Sequence, residues 1–394
     1  MRYTGVTARG IITPIFKQGD DLVAAVADSV AKAAAGEGFE LFDGDIVGVT
    51  EAVVGRTQGN YATCEQMAGA IREKFGGGEL GIVFPILSRN RFSIMLKAIA
   101  MSCEKLYVQL SFPSDEVGNL LVDRDIFDES GVDPYGQSFS EEQFRRLFSK
   151  EMTVHRFTGV DYIEYYKSFK DNIEIIFSND PTYILNFTKN VLNCDIHTRK
   201  RTKRLLEKAG AERVFSLDDI LTESYNGSGY NPEYGLLGSN KATDDKVKLF
   251  PRDTEDFVCR LAAALKEKTG KNMEVLVYGD GGFKDPVGGI WELADPVVSP
   301  AYTPRLAGTP NELKMKYFAD NDFADLSGDE LAAAMKKRIR EKDKNLVGSM
   351  QSQGTTPRRL TDLIGSLCDL TSGSGDRGTP VVLIQNYFTN FATD

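Results

Sequence analysis

The sequence predicts a two-domain protein of mixed α/β class, and three observations carry that prediction. The chain has 394 residues, enough for a large core and for two domains. Between about residues 80 and 215 short apolar runs alternate with helical patterns, as expected of an α/β layer. After about residue 216 the pattern changes to long amphipathic segments punctuated by glycine-rich turns.

The elements follow in order. "GIITPIF" reads as a strand or loop, and the helix after it starts beside Gly19, where Asp20 and Asp21 suit a positive helix N-terminus. Leu22, Val23, Val26 and Val30 recur at helical spacing. "DIVGVT" (45–50) is a short apolar strand running into a polar, glycine-containing segment, and "YATCEQMAGAIREKFG" is a second helix. "LGIVFPI" and "KLYVQLSF" read as strands with "RFSIMLKAIAMS" as the helix between them. "SFSEEQFRRLFSKE" is a helix capped by Ser138 or Ser140, "NIEIIFSN" is a strand, and a long helical stretch runs toward Gly210. "DTEDFVCRLAAALKEKTG" is an amphipathic helix ending at Gly270, and "NMEVLVYG" is a strand. A capping box of Ser327 and Glu330 opens an exposed, charged helix. "TDLIGSLCDLTSGSGDRGTPVVLIQNY" reads as helix, Gly/Ser loop and strand.

Composition excludes several function classes. The net charge of −10 argues against general nucleic-acid binding, which needs basic clusters. The one basic run, "HTRKRTKRLLEKAG" (197–210), reads as a solvated helix face. The five cysteines (64, 103, 194, 259 and 368) form no C-x-x-C pair, and the N-terminus shows no signal-like apolar stretch, so reduced thiols and a cytoplasmic location are expected. No apolar run approaches the roughly 20 residues that span a bilayer. With only His155 and His197 present, a histidine triad or a His-rich zinc site is hard to build, and His197 reads as a helix-surface residue.

Four stretches combine glycine with Ser, Thr, Asn or Asp, most of them beside an apolar strand: "GIITPI", "YNGSGYNPEYGLLGSN", "YGDGGFKDP" and "TSGSGDRGTP". Glycine lets backbone N–H groups face an anion with no Cβ in the way, and nearby carboxylates can hold a divalent cation against phosphate oxygens. Each alone is compatible with an ordinary turn, and none is a P-loop or a G-x-G-x-x-G opening a helix. Four together point to a nucleotide or phosphorylated ligand. Asp280, Asp285, Glu292 and Asp295 lie within sixteen residues, among Gly, Phe, Pro and Trp291. Asp280 directly follows the apolar run "EVLVY" and Gly279, so it is expected at a strand end, as a ligand to a catalytic metal.

The order of these motifs resembles the coenzyme F(420) γ-glutamyl ligases, which add L-glutamate to a deazaflavin cofactor using GTP. "GIITPIFKQGDDL" matches that family's opening loop, with one extra residue before Pro14. Asp43-Gly44-Asp45, Thr50, Arg56 and Gly59 match its second motif, with Arg56 where the family usually has Lys. "GLLGSN" matches a segment in which the family carries a metal-binding Asp, here Leu237, and Glu233, Asp285, Glu292 and Asp295 are the carboxylates that could make up for it. "EKTGKNMEVLVYGDGGF" and the C-terminal run with Asp362 and Asp376 complete the match, over roughly 8–60 and 225–390.

The resemblance implies a γ-glutamyl-ligase-like fold of two domains with mixed sheets. Residues 1–75 and 216–394 would form the ligase-like core, the latter with the metal and nucleotide loops, and 76–215 an inserted α/β segment that shapes the acceptor site. It also implies an amide ligase that activates a carboxylate with GTP or ATP, uses Mg²⁺ or Mn²⁺, takes a small-molecule acid and an amino acid, and forms a homodimer. Ile12, Thr13, Pro14, Thr50, Arg56, Asn240, Gly373, Gly375, Asp376 and Gly378 would bind nucleotide. Arg56 and Asp280 would be catalytic, with Asp280, Asp285, Glu292 and Asp295 around the metal. A nucleotide-binding protein without ligase chemistry is the alternative, with Leu237 marking a decayed metal site.

Overall fold

The computed structural model describes residues 3–156, 158–279, 299–352, 359–371 and 376–393. Among them the strands are, in chain order, β1 (Thr7–Ile11), β2 (Ile46–Thr50), β3 (Tyr61–Thr63), β4 (Glu79–Val83), β5 (Lys105–Leu110), β6 (Phe139–Ser140) and β7 (Ile173–Phe177). They continue as β8 (Asn190–Asn193), β9 (Arg213–Ser216), β10 (Ser239–Lys241), β11 (Lys246–Leu249), β12 (Glu274–Tyr278), β13 (Ala301–Tyr302) and β14 (Val381–Gln385). The described residues group into two compact units, one drawn from 1–54, 253–281 and 297–394, the other from 55–252. Helix 64–75 and residues 216–252 thus group with the 76–215 region.

The first unit is built on a mixed five-stranded sheet in the order β1-β14-β2-β12-β13. Only β2 and β12 run parallel, and the other neighbours are antiparallel. Its central strands are apolar on both faces because helices cover both. Val47, Val49, Val275, Val277, Val381 and Leu383 face the helices Leu22–Glu37 and Thr254–Thr269. Ile46, Leu276, Tyr278, Val382 and Ile384 face the helix Leu360–Thr371. Each such aliphatic side chain contributes about 1.5–3 kcal/mol by leaving water. Gly48 is required under the last helix, since a Cβ there would lie 2.4 Å from the Cys368 sulfur.

The helix ends follow the local chemistry. Asp21 caps the helix Leu22–Glu37 by accepting from the Ala24 N–H. Gly38 and Gly270 close their helices in the left-handed region that favours glycine. The expected box at Ser327 and Glu330 is absent: the helix Gly328–Arg340 starts there, but the Ser327 side chain makes no cap hydrogen bond.

The second unit holds a six-stranded sheet, β6-β7-β5-β4-β8-β9, and an antiparallel three-stranded sheet, β10-β11-β3. In the larger sheet only the edge pair β6–β7 is antiparallel. Helices 64–75 and 91–102 cover one face, where Met67, Ile71, Phe92, Met95 and Ile99 meet Leu80, Ile82, Leu106 and Val108. Helix Arg199–Lys208 covers the other through Leu206, against Val83, Ile176 and Val191. Ser140, not Ser138, caps the helix Glu141–Leu147, in a full capping box with Gln143. β8 interrupts the stretch read as helical, and the helix there spans only Arg199–Lys208. All five cysteines are free thiols, and Cys259 is the exposed one. Among the described residues no helix is long and apolar enough to cross a membrane.

Candidate active site

In the first unit, the sheet topology brings the loop after β1, the end of β2 and the loop entering β14 to one edge. β1, β2 and β12 all point their carboxyl ends to that edge, and β14 starts there, because Ile11 pairs with Val381, Val381 with Val49, and Thr50 with Tyr278. Ligands of α/β sheets bind outside such carboxyl ends. The loop after β1 holds Ile12, Thr13 and Pro14. The Thr13 N–H donates to the Gly378 carbonyl at 3.2 Å, which ties this loop to the one that enters β14. Gly378 lies at φ +64°, a conformation that favours glycine, and the preceding Asp376 is exposed. Gly10 is needed where the two strands meet: a Cβ there would come within 2.9 Å of the Thr379 side chain.

Thr50 closes the arrangement. Its N–H donates to the Pro380 carbonyl at 3.0 Å, and its hydroxyl donates to a Glu51 carboxylate oxygen at 3.0 Å. The next strand, β12, ends at Tyr278, and Gly279 is the last described residue before Asp280. Asp280, Asp285, Glu292, Asp295, Gly373 and Gly375 lie outside the described residues. Among the described residues no set of three His, Cys, Asp or Glu side chains could hold a metal ion.

Glu51 is a residue that the sequence reading passed over. It is fully buried at the end of a central strand, directly after Thr50. The available signal was a carboxylate two positions after the apolar run "IVGV", where an ordinary surface turn would place it in water. The Asp43-Gly44-Asp45 motif, by contrast, sits at the opposite edge and organises a turn. Asp43 accepts from the Asn272 backbone and side-chain N–H groups, at 2.6 and 3.2 Å. Asp45 accepts from the Phe42 N–H and from Gln385, and burial raises its pKa above the usual carboxylate value.

In the second unit, Arg56 is exposed in the last turn of the helix Glu51–Thr57, and its carbonyl accepts from the Gly59 N–H at 3.0 Å. Asn240 lies on β10, paired with Lys248. Leu237 is a core position, 7% exposed and packed with Leu236, Val247 and Leu249. Its carbonyl and that of Ser239 accept from the Arg91 guanidinium, at 3.3 and 3.2 Å. At this position the chain therefore packs an aliphatic side chain into the core.

His197 is not on the helix surface but in the turn before the helix Arg199–Lys208, with Nδ1 3.1 Å from a Glu116 oxygen. His155 is buried, and its Nδ1 accepts from the Thr158 N–H at 3.1 Å. Burial lowers the His155 pKa, which keeps the ring neutral.

A comparison with curated proteins finds no match. A comparison with known protein families matches residues 10–386 to F420-0:Gamma-glutamyl ligase. The match runs through nearly the whole chain, residues 76–215 included, and the protein belongs to this family of ligases.

Proposed function

We propose that this ligase is driven by GTP or ATP and joins the carboxylate of a small-molecule acid to the amine of L-glutamate or a similar amino acid. The observation that supports it most is the meeting of three motif loops at one edge of the five-stranded sheet, through Thr13–Gly378 and Thr50–Pro380. Backbone groups of Ile12–Pro14 and of the loop containing Asp376 and Gly378 would cradle the phosphates. Arg56 would supply positive charge, and Asn240 a hydrogen bond to phosphate or ribose.

In this reading a carboxylate oxygen of the acid attacks the γ-phosphorus and the nucleoside diphosphate leaves, giving an acyl phosphate. The amine then attacks the acyl carbon. The C–N bond forms, the bond to phosphate oxygen breaks, and the amine proton passes to a carboxylate or to water. Asp280, Asp285, Glu292 and Asp295 would hold Mg²⁺ or Mn²⁺, hard cations that favour such oxygen ligands. When bound, the cation would neutralise phosphate charge. A homodimer, as in the related ligases, completes the proposal, and sedimentation at micromolar concentration tests it: a monomer contradicts it.

The test of function is phosphate release, screened over pairs of acids and amino acids with Mg²⁺ and with Mn²⁺. A ligase releases phosphate only when both substrates are present. Leu237, a core residue where the related ligases carry an acidic metal ligand, favours a second reading, nucleotide binding without ligation. That reading predicts thermal stabilisation by nucleotide and no turnover with any amine.

A further inference from the structure

The six-stranded sheet has a ligand-binding topology that the ligase reading does not use. Its parallel strands lie in the order β7-β5-β4-β8-β9. The chain therefore starts at β4, winds outward through β5 and β7, then returns to β8 and winds outward on the other side. The connection leaving β4 enters helix 91–102 on one face, and the connection leaving β8 enters helix 199–208 on the other. Where two such connections part, a crevice opens outside the carboxyl ends of the strands, and open α/β sheets bind their ligands there.

At this parting the turn after β8 holds an anion. The Ile196 N–H donates to one oxygen of the Glu116 carboxylate at 2.6 Å, and the His197 N–H donates to the other at 3.0 Å. His197 Nδ1 lies 3.1 Å from that second oxygen, and since a carboxylate only accepts, Nδ1 carries the proton. Two successive backbone N–H groups facing one anion make a nest, a recurrent seat for carboxylate and phosphate. The anion is brought from elsewhere in the fold. Glu116 belongs to the loop after β5, and β4 lies between β5 and β8, so the loop and its side chain reach across about two strand spacings, roughly 10 Å. Lys200 and Arg201 follow in the first turn of helix 199–208, exposed and without an ion-pair partner among the described residues. Asp195, the neighbouring acid, has its oxygens committed to the Thr198 N–H and to the Thr198 and Thr202 hydroxyls, so it does not compete for the nest.

We propose that the 196–197 nest is the anion seat of a small-molecule site, which takes the carboxylate or phosphate of a ligand, and that Glu116 fills it as an internal stand-in which the ligand displaces. Each bond that Glu116 accepts here is one that a carboxylate or phosphate oxygen of a ligand accepts equally well. The loop carrying Glu116 is held independently of it. Asp115 accepts from the N–H groups of Leu87, Val117 and Asn119, so the Glu116 side chain can swing out while the loop stays in place. As a tethered competitor, Glu116 acts at an effective concentration in the millimolar range. It therefore weakens ligand binding without abolishing it. The site stands whether or not the chain ligates amino acids.

Titration of the full chain with inorganic phosphate, and separately with acetate, tests the seat. The backbone amide signals of Ile196 and His197 are followed by NMR at one pH and constant ionic strength. In Glu116→Ala both signals should shift with saturation, and in wild type the same shifts should need about tenfold more anion or above, because the tethered carboxylate competes. Glu116→Gln turns an N–H₂ group toward donors and should behave as Glu116→Ala does. The anion that saturates at the lower concentration identifies the ligand group as phosphate or carboxylate. Should Glu116→Ala not fold, Glu116→Gln and the wild-type titration carry the test. Ile196 and His197 signals that stay fixed with both anions, or shifts confined to the exposed cations of helix 199–208, overturn the seat. Equal affinity in wild type and the variants overturns the role of Glu116 as a stand-in.

Discussion

The two sheets join the loops at their carboxyl edges in opposite ways. At the edge of the five-stranded sheet the contacts between loops are made by backbone: Thr13 to Gly378, Thr50 to Pro380, and Gly10 pressed against Thr379. At the carboxyl edge of the six-stranded sheet they are made by side chains that cross between loops: Glu116 to the 196–197 turn, Asp115 to Leu87, and the Tyr166 hydroxyl to the Ile86 carbonyl and the Ser88 N–H. A backbone site needs glycine and small polar residues in a row, which a sequence displays. A side-chain site needs partners that only the folded topology brings together.

The largest expected effect concerns the proposed metal ligand Asp280. On that proposal Asp280→Asn keeps the size of the side chain but removes a charged oxygen ligand. It should lower metal-dependent turnover by about 100-fold, the scale of losing one fixed electrostatic stabiliser, and leave the nucleotide-free melting temperature in place. Full activity in that variant would reduce the "YGDGGFKDP" stretch to a connector.

The second edge should answer to pH. Burial raises the Asp115 pKa to about 6, whereas an unfolded chain releases that proton near 3.8. Between these values the folded state holds more protons, so stability falls as pH rises through this window, by on the order of 3 kcal/mol. Asp115→Asn does not titrate and should lose that part of the slope in urea unfolding at pH 4.5 and 7. An unchanged slope would mean that Asp115 is solvated in the native state.

The same contrast explains what the sequence could show. Helices such as Leu22–Glu37 and Thr254–Thr269 were legible because apolar spacing and a closing glycine agree along each of them. β8 was not, because four residues, "NVLN", with asparagine at both ends leave almost no periodicity. The strand order, with β14 inserted between β1 and β2, depends on pairing between distant segments and leaves no local mark. The glycine loops were visible as motifs. The Glu116–His197 contact was not, since "DEV" and "DIHTR" are unremarkable apart.

Gly10→Ala probes the backbone edge directly. The added Cβ would meet Thr379 at 2.9 Å, so β1 or the loop entering β14 must shift. The expected cost is about 1–3 kcal/mol, as for overpacking elsewhere, with a further loss of nucleotide-induced stabilisation. A variant as stable as wild type would show that the two segments have slack, and that the close approach does not define the edge.

The smallest effect separates side-chain charge from the backbone cradle. Arg56 is exposed on a short helix, where most substitutions change stability by no more than about 0.5 kcal/mol. If phosphate is held mainly by backbone N–H groups, Arg56→Ala should weaken ADP or GDP binding in the presence of Mg²⁺ by only about tenfold, or about 1.4 kcal/mol. The thermal shift given by a fixed nucleotide concentration should then shrink without vanishing. Unchanged affinity would remove Arg56 from the site. Complete loss of binding would make the guanidinium the principal phosphate contact.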